Sequence, residues 1–149
     1  MFESFLGINF LNLYDTDAFL AIQLILTLTI NCAIFKRMTD IRISWTVFLT
    51  LALLDVVIQY NITNMIMVFD VFILMILAFL AKGKPWSVTQ YAFHTLFPVV
   101  TSDLLYRLLG LFFIPLLLNL PVAEVGSNAL FYLLSYGLIL PLYFVFDRF

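Results

Sequence analysis

Charged residues inside apolar stretches are the positions in this chain where chemistry can be expected. Asp103 and Arg107 lie four residues apart, so a helix would place both on one face, with the acid nearer the N-terminus. Asp55 and Asp70 lie in two other apolar stretches. An ionisable residue inside a membrane span costs roughly 2.5–3.5 kcal/mol on insertion scales, so such residues tend to mark partners or pathways.

The Asp103–Arg107 pair has two open interpretations. In the first, the pair only neutralises its own charge and thereby lowers the cost of placing a polar helix in lipid. In the second, one member exchanges partners when an external ligand binds, and Asp55 reaches Arg107 across a helix interface to complete an intramembrane switch. Pro98 precedes this pair and would bend the helix that carries it.

A candidate region for an external ligand lies near two predicted outer turns. Asp70 either lines an outward-facing cavity or extends toward the interface. Asn61, Asn64 and Glu124 belong to the turns on the same predicted side. Ordinary polar contacts between membrane helices are expected instead from five residues on the first and fourth spans: Thr27, Thr29, Asn31, Thr101 and Ser102.

The sequence offers few residues for catalysis. His94 and Cys32 are the single histidine and the single cysteine, which cannot by themselves form the usual metal sites. There is no Gly-rich phosphate loop, no His-x-x-x-His and no Gly-x-Ser-x-Gly. We therefore predict no catalytic residue, no metal, no cofactor and no enzyme activity in this chain.

The amino-acid composition indicates the class of protein in which these residues lie. Of 149 residues, 64% are hydrophobic and 11% are charged, and the mean hydropathy is +1.12. Soluble domains are about 45–50% apolar and about 25% charged. Seven basic against nine acidic residues give a net charge of −2, which disfavours a nucleic-acid partner. The sequence predicts an all-α integral membrane protein, with residues 1–149 forming one membrane domain in the lipid bilayer.

Five apolar stretches approach the length of about 20 residues that a spanning helix needs. We predict transmembrane helices at residues 18–35, 44–62, 65–81, 98–118 and 129–146. Residues 87–118 as one helix would be about 48 Å long, which exceeds the bilayer core. Residues 87–97 are therefore interpreted as an amphipathic lead-in to a long fourth span bent at Pro98. Residues 2–14 are interpreted as an interfacial helix or a disordered start.

Basic residues separate cleanly from acidic ones if every stretch crosses the membrane once. One side carries Lys36, Arg37, Arg42, Lys82, Lys84 and Arg148. The other side carries Glu3, Asp15, Asp17 and Glu124 and has no base. The positive-inside rule then predicts the N-terminus outside and the C-terminus inside.

Residues 93–107 contain a pattern of eight matching positions around a proline. These are Phe93, Leu96, Pro98, Val99, Ser102, Asp103, Leu104 and Arg107. The pattern resembles a segment of the streptococcal-type peptide-pheromone receptor histidine kinases, which regulate competence and bacteriocins, and more loosely the staphylococcal accessory-gene-regulator receptor. Residues 134–136 and 146–147 also resemble this family, whereas His94 replaces an expected aromatic residue.

The resemblance implies the membrane sensor of a two-component quorum-sensing system in the bacterial plasma membrane. Its partners would be a secreted peptide and, in a homodimer, a second copy. Such receptors continue into a cytoplasmic dimerisation helix and an ATP-binding domain. The sequence carries neither, so it is expected to be a sensor fragment, a truncated relative or a stand-alone protein of similar architecture.

Two other functions remain open from the residues. One is a stand-alone membrane protein for bacteriocin immunity or scaffolding, which would sequester a peptide or the spans of a partner. The other is a small transporter subunit, because intramembrane carboxylates and a proline-broken helix are typical of that class as well.

Overall fold

The computed structural model describes residues 17–61, 66–80, 86–123 and 128–148, and these residues form helices and no strand. The helices are α1 (Asp17–Thr39), α2 (Trp45–Asn61), α3 (Ile66–Leu80), α4 (Val88–Leu108), a π-helical segment (Leu109–Phe113), α5 (Ile114–Leu118) and α6 (Ala129–Phe146). The predicted all-α fold is thereby confirmed for the described residues. The predicted interfacial helix at residues 2–14 and the site residues Asn64 and Glu124 lie outside them.

Three of the described helical runs are long and apolar enough to cross a membrane. They are α1, the continuous run Val88–Leu118 and α6. The apolar parts of α2 and α3, Trp45–Gln59 and Phe69–Leu80, are shorter. At 1.5 Å per residue, α2 is about 26 Å long and α3 about 22 Å, against about 30 Å of hydrocarbon. Three candidate spans support a membrane protein.

The fourth predicted span belongs to a helical run that has no boundary between residues 97 and 98. The α-helix α4 begins at Val88 and continues through Pro98. Proline is tolerated in membrane helices where neighbouring groups satisfy the freed carbonyl. The irregular turn lies further on, at Leu109–Phe113, where π-helical geometry accommodates one extra residue.

The chain divides into two compact units, one of which consists of residues 24–102 and is called the central unit here. Its core packs Leu28 and Phe35 of α1 against Leu74 and Leu77 of α3, with Val99 of α4. Large apolar side chains also cover the outer faces of these helices, including Leu53, Phe72 and Phe79. Helices that are apolar on all sides are typical of membrane spans.

The other unit, called the terminal unit, contains residues 17–23, 103–123 and 128–148 among those described. Three half-buried tyrosine rings pack against one another in this unit. The ring centroids of Tyr132 and Tyr136 are 4.6 Å apart, and Tyr106 lies 4.8 Å from Tyr136. Phe19 of α1 meets Tyr132 edge-on at 5.6 Å. These contacts join α1, α4 and α6 within the terminal unit.

Candidate functional site

Asn31 of α1 is the centre of a buried polar cluster in the central unit. Its Nδ2 donates a hydrogen bond to Oδ2 of Asp70 on α3 at 2.6 Å. Its Oδ1 accepts a hydrogen bond from Oγ of Ser102 on α4 at 2.5 Å. All three side chains are at most 4% exposed. The cluster therefore ties three helices together inside an apolar core.

The residue types explain why these three side chains fit together. A carboxylate accepts hydrogen bonds, a hydroxyl donates one, and an amide does both at once. Ser102 Oγ also lies 3.0 Å from the Val99 carbonyl of its own helix. A buried polar group without a hydrogen-bond partner is costly. The two bonds of Asn31 therefore stabilise the fold mainly because they prevent buried polar atoms from being left unsatisfied. Asn31 and Ser102 are not among the site residues predicted from the sequence. The sequence feature that could have indicated them is the presence of single polar residues within otherwise apolar stretches.

Asp55 and Gln59 form a second buried pair in the central unit, one helical turn apart on α2. Gln59 Nε2 donates to Asp55 Oδ1 at 2.6 Å. The other two oxygens, Asp55 Oδ2 and Gln59 Oε1, have no hydrogen-bond partner among the described residues. Asp55, Asp70 and the Cys32 thiol are all buried in the central unit. Two carboxyl groups thus share the interior of one unit.

Asp103 and Arg107 pair with each other in the terminal unit. Arg107 Nε donates to Asp103 Oδ2 at 2.8 Å, over the four-residue spacing that the sequence gives. The arginine side chain is 59% exposed and the aspartate side chain 22%. Asp55 lies in the other unit, where its hydrogen bond is with Gln59. The switch of Asp55, Asp103 and Arg107 therefore stays a prediction.

The remaining candidate residues occupy different environments. Asp70, expected to face an outer cavity or the interface, is 1% exposed and bonded to Asn31. Asn61 is exposed at the end of α2, where its Nδ2 donates to the Val57 carbonyl at 2.7 Å. Pro98 is buried within α4. Of these, only Asp70 belongs to the buried polar cluster.

His94 packs between aromatic rings in the central unit. Its ring centroid lies 4.7 Å from that of Trp86 and 5.8 Å from that of Phe93. Its Nδ1 has no hydrogen-bond partner within the described part of the chain. The described residues contain no group of three or more His, Cys, Asp or Glu that could hold a metal ion. The surroundings of His94 are those of a packing residue.

Comparison of the chain with protein-family models, with curated proteins and with solved structures finds no match. The function is therefore inferred from the residues and contacts described above.

Proposed function

We propose that this chain is a membrane sensor that detects an extracellular peptide and signals to a histidine kinase in bacterial quorum sensing. The proposal includes five crossings, with the N-terminus outside and the C-terminus inside the plasma membrane. The observation that carries it is the position of Ser102 and Asp103. These two residues are consecutive on α4, one bonded in the buried polar cluster and the other in the Asp103–Arg107 ion pair.

Consecutive positions on a helix point about 100° apart around its axis. A rotation or shift of α4 would therefore change the surroundings of Ser102 and Asp103 together. A ligand shifts such an equilibrium only by its difference in affinity for the two positions of the helix. Peptide binding that favours one position of α4 would thus change the hydrogen bond to Asn31 on α1 and, in the same step, move the Asp103–Arg107 pair, which lies within α4, into new surroundings.

The exposure of Arg107 supports a partner at this helix. A charged side chain that is 59% exposed on an apolar helix is unfavourable against lipid tails. A bound peptide or a second copy of the chain would cover it. The side predicted to be outside carries Glu3, Asp15, Asp17 and Glu124 and no base, which favours a cationic peptide.

The test replaces Arg107 by alanine in the bacterium that carries the gene, with a reporter for the signalling response to conditioned medium from the same strain. We expect Arg107→Ala to abolish the response or to make it constitutive, because Asp103 loses its hydrogen-bond donor. Arg148→Ala is the matched control, since it removes an exposed arginine outside the pair. An unchanged dose–response for Arg107→Ala at normal protein level contradicts the proposal.

A small transporter subunit is a second candidate, favoured by the buried carboxyl groups of Asp55 and Asp70. Such groups line the ion pathways of cation-coupled transporters. Uptake of solute into proteoliposomes, driven by an imposed sodium or proton gradient, would support this function. Uptake that stays at the level of empty liposomes would exclude it for the solutes tested.

A further inference from the structure

We propose that Asp55 and Gln59 form a binding site for one sodium ion inside the central unit, in which Asp70 is also buried. The proposal goes beyond the sensor function and does not depend on it. It rests on two buried oxygen atoms that have no hydrogen-bond partner among the described residues.

Gln59 supplies the most direct evidence for a missing partner. Its side chain is 4% exposed and its Oε1 has no hydrogen-bond partner among the described residues. When Asp55 is ionised, its carboxylate only accepts hydrogen bonds, so the amide nitrogen of Gln59 faces Asp55 Oδ1. The outward atom of this buried amide is thus an acceptor, which a cation can satisfy.

Asp55 presents a second oxygen of the same kind. The residue is 1% exposed, and its Oδ2 has no hydrogen-bond partner in the described ranges. This oxygen and Gln59 Oε1 belong to side chains that are already joined by a hydrogen bond at 2.6 Å. Two acceptors at one buried position are unfavourable unless a donor or a cation lies between them.

Asp70 adds negative charge to the same interior. It is 1% exposed, and one of its oxygens accepts a hydrogen bond from Asn31. The ion pair between Arg107 and Asp103 involves neither Asp55 nor Asp70. Two carboxylates in an apolar core need positive charge nearby to be stable.

The ligand types indicate which cation fits. Carboxylate and amide oxygens prefer hard cations over the metals that histidine or thiolate binds. Calcium takes 6–8 oxygen ligands, whereas one oxygen of each aspartate is already occupied by an amide N–H here. The two remaining oxygens are too few for calcium, so a hard cation of lower charge, sodium, is the ion that we assign to them.

The experiment measures thermal unfolding of the purified chain in lipid nanodiscs, in sodium chloride and in choline chloride of equal ionic strength. We expect sodium to raise the unfolding temperature in a saturable manner, because it binds only the folded state. Asp55→Asn and Gln59→Leu should each weaken the apparent sodium affinity by at least about tenfold. The matched control is Asp40→Asn, which removes an exposed carboxylate at a residue with φ of 55°, a conformation that asparagine tolerates.

Direct binding of ²²Na⁺ to the unsubstituted chain keeps the test decisive if a variant does not fold. Saturable binding that unlabelled sodium displaces supports the site. No saturable binding overturns it, as does a response to calcium or to pH without one to sodium. These measurements use the purified chain without peptide or reporter, so failure of the sensor proposal and failure of the sodium site are distinguishable.

Discussion

Asn31 is the single residue on which the buried polar cluster depends. Its amide joins Asp70 on one helix to Ser102 on another. Its loss leaves Asp70 Oδ2 without this donor, whereas Ser102 keeps its bond to the Val99 carbonyl. Hydrogen bonds between membrane helices contribute only about 0.6 kcal/mol on average. The penalty for a polar group left unsatisfied in the core is larger, at about 1–3 kcal/mol.

We predict that Asn31→Leu lowers the free energy of unfolding by about 1–3 kcal/mol, because Asp70 and Ser102 lose a buried partner. Reversible unfolding in mixed micelles measures this change. The control is Asn61→Leu, which removes only an exposed bond within α2 and should change stability by less than about 0.5 kcal/mol. Equal losses in the two variants would contradict a special role for the buried cluster.

At the residue scale, separation along the chain determines what the sequence could predict. The Asp103–Arg107 spacing is local, so helix geometry alone predicts that the two side chains can meet. Asn31 and Asp70 are 39 residues apart, and Asn31 and Ser102 are 71 apart. Their contacts depend on how the helices pack, which the apolar pattern does not specify because these helices are apolar on nearly every face.

At the scale of elements, the helix ends follow from particular polar residues. α5 ends at Asn119, whose φ of 51° places it in the left-handed region that asparagine adopts more readily than most residues. α6 begins after Asn128, whose side chain accepts a hydrogen bond from Leu130 N at 2.9 Å. The latter is an N-cap that satisfies one of the free amides of the first turn.

We predict that Asn128→Ala destabilises α6 by about 1 kcal/mol, through loss of this cap. Amide hydrogen exchange at Leu130 should become faster, and the unfolding temperature should fall. Asn128→Asp preserves an accepting oxygen at the same position and should behave like the original chain. Unchanged exchange in the alanine variant would mean that the cap does not limit opening of the first turn.

α4 shows where an element departs from the sequence pattern. Pro98 predicts a bend and a helix boundary. The α-helix continues through it without a boundary, and the bend stays a prediction. The π-helical turn at Leu109–Phe113 contains no proline and has no local signal of that kind. An ideal Cβ on Gly110, within this turn, would lie 3.8 Å from Ser135 Oγ of α6. Packing against α6 in the terminal unit thus accompanies the irregular turn.

At the scale of the whole molecule, the number of crossings and the direction of the chain are separate questions. Three crossings by α1, Val88–Leu118 and α6 and five crossings by all the long helices both place the termini on opposite sides. Both also place Lys36 and Lys84 on the side of the C-terminus. The basic residues therefore support the orientation but do not distinguish three spans from five. Asn61 distinguishes them, because it lies outside only if α2 and α3 cross.

We predict that Asn61→Cys, in a Cys32→Ala background, reacts with a membrane-impermeant maleimide on intact cells. Arg148→Cys should react only after the cells are permeabilised, because the C-terminus is predicted to be inside. Labelling at Asn61→Cys supports five crossings. Protection at that position with the same behaviour of Arg148→Cys would indicate three, and labelling of Arg148→Cys on intact cells would contradict the orientation.

The sequence by itself determined the helical fold class, the apolar character and the spacing of the Asp103–Arg107 pair. These properties depend on composition and on residues within one helical turn of each other, so no knowledge of packing is needed. Only the tertiary structure decided that Asp70 is buried against Asn31 and that Asp55 retains an oxygen without a hydrogen-bond partner in the described residues. In an almost uniformly apolar chain, helix packing determines which of the few polar side chains come into contact. Their positions in the sequence do not predict these contacts.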